Sequence, residues 1–246
     1  MTTTIDWSSL DAVLFDLDGV ITPTAEVHRH AWAQMFEAYL AERGVDPYTE
    51  DDYFAHLDGK PRYEGVADLL ASRGIDLPQG DPSDDPSAET VCGLGNRKNV
   101  VFSQVLEDDG VDPYPGSVRF VDAVIARGTQ VAIVSSSANA PAVLEAAQMA
   151  DRFGVVVDGS VARDHALAGK PEPETFLYAA AEVGVTKDRA VVVEDALSGV
   201  QAGRAGGFAL VVGVDRGAGE QALLDHGADV VVSDLAELVE GLEAAR

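Results

Sequence analysis

The 246-residue chain carries 42 acidic against 17 basic side chains, a formal net charge of −25, with 46% hydrophobic residues and one cysteine. That charge argues against nucleic acid and anionic membranes as partners, and no apolar run approaches the roughly 20 residues of a membrane helix. The start, Met1-Thr2-Thr3-Thr4-Ile5-Asp6, lacks the basic and apolar regions of a signal peptide, and the single Cys92 excludes an internal disulfide and fits a reducing cytoplasm.

The first predicted strand covers residues 11–15 and runs into Asp16-Leu17-Asp18-Gly19-Val20-Ile21-Thr22. Residues two apart in a strand share a face, so Asp16 and Asp18 can address one pocket. Taken alone, D-x-D-G is as readily a solvated acidic turn, because Asp and Gly favour turns. Pro23 follows, with Thr22 as a candidate cap, and a helical pattern covers residues 25–43 until Gly44. On it His28, Trp32, Met35 and Tyr39 fall on one stripe, which reads most simply as a packing face. Residues 45–60 contain Asp46-Pro47 and Glu50-Asp51-Asp52 and end in the loop Leu57-Asp58-Gly59-Lys60-Pro61-Arg62. A helix over residues 62–73 leads to an acidic Pro/Gly/Ser stretch over 77–86, expected to be a mobile surface loop, and then to a helix over 89–106. The breaks bracket an all-helical block, the pattern of an insertion.

From about residue 117 helices and strands alternate. Strands are predicted at residues 130–134, 155–157, 190–193, 208–212 and 229–232, and helices at 117–127, from Pro141, 174–183 and 198–205. Near-continuous Val/Ile strands alternating with helices argue for a doubly wound α/β fold, a parallel sheet covered on both faces. Ligands in such folds bind at the carboxyl ends of the strands. Three polar clusters stand at such ends: Asp16 with Asp18, Ser135-Ser136-Ser137, and Glu194 with Asp195. Lys170, in Gly169-Lys170-Pro171, precedes a helix. Each is ordinary alone; their order along the chain is the specific feature.

That order resembles the four motifs of the haloacid-dehalogenase superfamily of phosphoryl-transfer enzymes, over nearly the whole chain. The resemblance implies a Rossmann-type core over residues 1–23 and 113–246 and a helical cap over 24–112. It implies that Asp16 is the nucleophile and Asp18 the general acid/base. Mg2+ would be held by Asp16, Asp195 and the backbone carbonyl of Asp18, with Glu194 in or beside the ligand shell. Ser135, Ser136, Asn139 and Lys170 would bind the transferring phosphoryl group. Within the superfamily, Thr24-Ala-Glu-Val-His28…Trp32, Gly59…Arg62, Arg97-Lys98-Asn99 and Ser135…Ser137…Asn139 resemble β-phosphoglucomutase and related sugar-phosphate enzymes. On that likeness Thr24, His28, Trp32, Gly59, Arg62, Lys98 and Ser137 would serve the substrate, His28 by controlling Asp18 and Arg62 by binding a second phosphate. Pro23, Asp58 and Ala138 depart from the subfamily pattern. The implied protein is a cytoplasmic monomer acting on a small-molecule sugar phosphate, with a sugar-phosphate phosphatase as the alternative activity and neither nucleic acid nor membrane as a partner.

Overall fold

A strand of Ala12-Val13-Leu14-Phe15, completely buried, sits in the middle of a six-stranded sheet (β1). The computed structural model describes residues 5–244, and the chain divides into two compact units, one of residues 1–23 and 111–246 and one of residues 24–110.

The second unit is helical. It contains α1 (Thr24–Arg43), α2 (Glu50–Asp52) running directly into a π-helical turn (Tyr53–Leu57), α3 (Arg62–Ser72) and α4 (Val91–Asp109). Trp32, Met35, Phe36, Tyr39 and Leu40 of α1 pack with Leu69 and Leu70 of α3 and Leu94 of α4 in one apolar cluster. The sequence assigns no element to residues 50–57 and expects the acidic stretch over 77–86 to be mobile. Residues 50–57 are helical because Thr49 and Asp52 form a reciprocal N-terminal cap that starts a turn. The acidic loop is anchored: Asn96 donates to the carbonyls of Pro82 (3.1 Å) and Asp84 (2.9 Å), Arg97 donates to that of Pro86 (2.8 Å), and Thr90 Oγ1 donates to Asp84 (2.6 Å).

The first unit alternates α5 (Pro115–Ala126), β2 (Gln130–Val134), α6 (Ala140–Ala146), β3 (Val155–Val157), α7 (Gly159–Asp164), α8 (Glu174–Glu182), β4 (Ala190–Glu194), α9 (Leu197–Gly206), β5 (Leu210–Val214), α10 (Glu220–His226), β6 (Val230–Val232) and α11 (Val239–Ala244). All pairings are parallel, in the order β3-β2-β1-β4-β5-β6. The alternation along β1 is visible in its packing: Ala12 and Leu14 join the cluster that holds Phe176 and Ala179 of α8, whereas Phe15 meets Phe120 of α5 edge-on. Strand β5 begins two residues later than expected, because Phe208 belongs to the α8 cluster, meeting Phe176 edge-on, and Gly207 ends α9 in the left-handed conformation. Among the described residues no helix is long and apolar enough to cross a membrane.

Candidate active site

Strand β1 pairs with β2 on one side and β4 on the other, so the connections leave it in opposite directions at its carboxyl end. There the ladder extends one step further, Asp16 N–H donating to Val193 O at 2.9 Å. The sheet therefore delivers Asp16, Ser135 after β2, and Glu194 and Asp195 at the end of β4 to one edge. Lys170 joins them from the loop before α8, in a cis peptide with Pro171. Its Nζ lies 2.5 Å from Asp16 Oδ1 and 2.5 Å from Glu194 Oε1, and donates to Val134 O at 3.0 Å.

All four charged groups are buried: Asp16, Lys170, Glu194 and Asp195. Burial pushes the Asp16 carboxyl well above the usual carboxylate range; Lys170 opposes this, and Glu194 and Asp18 add to it. Burial works against the charge on Lys170, but the Asp16 and Glu194 carboxylates outweigh it and hold the ammonium above the ordinary lysine range. Glu194 is fixed by its own chain end, its Oε2 accepting the N–H groups of Asp195 and Ala196 at 3.0 Å each.

Asp16, Glu194 and Asp195 each offer a carboxylate oxygen, all within 4.8 Å of one another. With all three ionised against one ammonium, the cluster would carry two negative charges in excess in a buried place, which is costly without a counterion. Hard oxygen donors and an excess of two charges fit a divalent cation. Two glycines make room for this cluster. A Cβ on Gly19, whose φ is +94°, would fall 1.9 Å from Asp195 Oδ2, and one on Gly199 of α9 would fall 1.8 Å from Glu194 Oε1. Gly199 was not singled out in the sequence; its place in the first turn of the helix five residues after Glu194 is the signal that could have found it.

Asp18 lies one bridge beyond the sheet, paired with Thr22. Ser135 Oγ donates to Asp18 Oδ2 at 3.1 Å and accepts from Ser137 N–H at 3.1 Å, while Ser137 Oγ accepts from Asn139 N–H at 3.2 Å. The serine run is thus a hydrogen-bonded ramp from Asp18 to α6, which Asn139 precedes. The carbonyl of Ser136 is 2.7 Å from where a Cβ on Gly159 would stand.

The remaining sequence candidates lie in the helical unit. Thr24 opens α1 and is buried. His28 Nδ1 contacts Lys98 Nζ, the His28 ring stacks on Phe102 with centroids 4.1 Å apart, and Lys98 Nζ stands 4.9 Å above the rings of Trp32 and Phe102. Lys98 is 1% exposed and lies against these rings. Arg62 opens α3 and donates to Asn99 Oδ1 at 2.8 Å; Gly59 precedes it at φ +68°. Lys60 and His56 both meet Asp68 Oδ2, at 2.5 and 3.0 Å, bracing the loop that carries Gly59 and Arg62.

The model of the haloacid dehalogenase-like hydrolase family matches residues 10–207. The chain belongs to that family. The family match takes in the helical unit as well as β1 to α9. The chain is 53% identical over 241 residues to a protein of Mycobacterium tuberculosis (strain CDC 1551 / Oshkosh) named beta-phosphoglucomutase, covering 93% of this chain and 91% of that one. It is 32% identical over 230 residues to the beta-phosphoglucomutase of Bacillus subtilis (strain 168), covering 93% and 92%. The crystal structure of beta-phosphoglucomutase from Clostridium difficile superposes with a TM-score of 0.76 at 25% identity, covering 96% of each chain.

Proposed function

We propose that this chain is a β-phosphoglucomutase, interconverting β-D-glucose 1-phosphate and glucose 6-phosphate through glucose 1,6-bisphosphate. The observation that carries the reading is the 53% identity to the mycobacterial protein, which extends over 91% of that chain and so includes the helical unit as well as the acidic cluster. Asp16 Oδ attacks phosphorus and forms an aspartyl-phosphate; the bond from phosphorus to the departing oxygen breaks, and the Asp18 carboxylic acid gives that oxygen its proton. On the phosphorylated enzyme Asp18, now a carboxylate, takes the proton of the 6-hydroxyl of β-glucose 1-phosphate as that oxygen attacks phosphorus and the bond to Asp16 breaks, giving glucose 1,6-bisphosphate; Asp16 then attacks its 1-phosphoryl group, the O1 oxygen departs with the proton of Asp18, and glucose 6-phosphate is released. Ser135, donating to Asp18, orients the proton donor. Lys170 balances charge beside Asp16 and is placed to meet a phosphoryl oxygen. Asp16, Glu194 and Asp195 would hold Mg2+, with the Asp18 carbonyl as a further ligand; when bound, the ion neutralises charge on the transferring group.

Residues 24–110 are read as a cap. Support comes from the chain path: the segment leaving the core follows Thr22, and the segment returning to it reaches Tyr114, whose N–H donates to Ile21 O at 2.9 Å. Arg62 would take the second phosphate, as a planar, bidentate donor. His28 and Lys98 would serve the sugar.

The test is phosphorus NMR of β-glucose 1-phosphate with enzyme, Mg2+ and a trace of glucose 1,6-bisphosphate. Glucose 6-phosphate as the product is the expected result. Free phosphate and glucose as the only products would make the chain a sugar-phosphate phosphatase instead.

A further inference from the structure

Asp18 stands at the head of a tight loop whose own bonds close it: Gly19 N–H donates to Thr22 O at 2.7 Å, and the N–H groups of Ile21 and Thr22 donate to Leu17 O at 2.9 and 3.0 Å. Three carbonyls of this loop are held from elsewhere in the core unit. Gly19 O accepts from Arg216 Nε at 2.9 Å, Val20 O from Ser117 Oγ at 2.6 Å, and Ile21 O from Tyr114 N–H at 2.9 Å. Arg216 is two residues past the end of β5. Its Nη1 donates to Ser233 O at 3.0 Å, and its guanidinium lies 3.8 Å from the centre of the Tyr114 ring. Its Nη2 is buried with no acceptor.

We propose that Arg216 is a positioning residue for Asp18, fixing the general acid/base by holding the Gly19 carbonyl. The inference rests on the reading of Asp18 given above. Gly19 is the softest point of the loop: without a Cβ, at φ +94°, it has the widest choice of ψ of any residue there. The peptide before it is fixed by the Gly19–Thr22 bond, and the peptide after it by Arg216. With Arg216 removed, the 19–20 peptide loses its side-chain anchor, and the Gly19–Thr22 bond that sets the peptide after Asp18 is left to hold the loop on its own. The guanidinium suits the task because it is planar and forked. Nε reaches Gly19 and Nη1 reaches Ser233 from different edges of the plane, and one face lies on Tyr114, which itself holds the carbonyl two residues further on. The buried, unpartnered Nη2 is a cost, which these three fixed contacts offset.

The experiment separates steps that need a proton from one that does not. Acetate is a good leaving group and departs unprotonated, so labelling of Asp16 by acetyl phosphate needs little from Asp18. Transfer to and from a sugar hydroxyl needs the proton relay, typically a factor of about 10²–10⁴. Wild type, Arg216→Gln and Arg216→Lys are compared for phospho-enzyme formation from acetyl phosphate and for kcat and KM with β-glucose 1-phosphate. Arg216→Gln is expected to lower kcat by about 10- to 100-fold, within the reach of a misdirected acid/base. Its KM and its labelling rate are expected to stay within about threefold of wild type. Arg216→Lys, which keeps one N–H donor, should recover part of kcat. Should Arg216→Gln not fold, Tyr114→Leu removes the stack while leaving the backbone bond to Ile21, and should move the same ratio of rates in the same direction. Equal loss in both assays, or loss in neither, overturns the role of Arg216. Failure of wild type to take label from acetyl phosphate overturns the reading of Asp16 and Asp18, and this proposal with it.

Discussion

The carboxylate of Asp195 occupies the space that a side chain on residue 19 would need: Oδ2 stands 1.9 Å from the position of a Cβ on Gly19. Gly19 also holds φ +94°, where L side chains are strained. Gly19→Ala therefore meets two obstacles, and the carboxylate must move out of the acidic cluster. The expected outcome is a fall in kcat of about 100-fold or more, roughly 3 kcal/mol of barrier, together with a higher half-saturating metal concentration. Metal titration of activity checks it; an unchanged half-saturating metal concentration would contradict the geometry.

Asp16→Asn is expected to abolish turnover. An amide is neither a phosphoryl acceptor nor a good cation ligand, and losing the proposed nucleophile should cost several decades, each about 1.4 kcal/mol. Steady-state turnover, with deamidation excluded by mass spectrometry, is the measurement. A near-wild-type rate sinks the assignment.

Removal of divalent metal by a chelator should stop activity, and Mg2+ should restore it. Asp195→Ala should raise the Mg2+ needed for half-maximal rate by about tenfold or more, since a carboxylate ligand is lost from a hard-cation site. Activity persisting in excess chelator removes the metal from the reaction.

Asp52, buried in the helical unit, accepts from Arg73 Nη2 at 2.6 Å and from Thr49 N–H at 2.8 Å. Burial works against its charge, but the Arg73 and Thr49 bonds prevail and hold the carboxyl below its ordinary 3.8. A depressed folded-state pKa stabilises the fold above the ordinary carboxylate range, and that contribution is lost as pH falls through the folded value. Asp52→Asn should cost about 1–3 kcal/mol near neutrality and much less near pH 2. Urea melts at the two pH values decide; equal destabilisation at both would refute the linkage.

Arg62→Ala should lose isomerisation far more than it loses slow hydrolysis of acetyl phosphate, because only the sugar bisphosphate offers it a second phosphate. His28→Ala should lower mutase flux and raise the share of free phosphate. Product ratios from phosphorus NMR are the readout. If neither variant changes the ratio, these two side chains play no part in choosing between transfer and hydrolysis.

The sheet was legible because its strands are nearly pure Ala, Val, Leu and Ile and stand apart from the helical segments, so period and punctuation agree. The acid pair, the serines, Lys170 and Glu194-Asp195 could be found because polar residues at strand ends stand out against that background. Helices α7 and α10, of six and seven residues, were missed because so short a run shows no period. The order of the acidic loop rests on Asn96, Arg97 and Thr90, which read only as helix residues until the fold sets them beside it. Arg216 was illegible for a similar reason: its meaning is a bond to a carbonyl 197 residues away in the chain.

Strand β1 is the first element of the sheet to leave the ribosome, yet it sits at the sheet's centre and pairs with residues 130–133 and 190–193. Its two neighbours are synthesised after the whole helical unit and, for β4, after most of the chain. An apolar tetrapeptide that is completely buried in the finished protein must therefore wait while about 120 further residues are made before β2 can pair with it, and about 180 before β4 can, at roughly 5–20 residues per second. The helical unit draws its apolar cluster from residues 32–94 alone and has no such delay. The acid pair of Asp16 and Asp18 thus belongs to the part of the molecule that is assembled last, and a chain interrupted before β4 would display an aggregation-prone strand edge in place of the acidic cluster. Ribosome-stalled chains ending before and after β4 should differ in protease resistance around Asp16 and be alike within the helical unit.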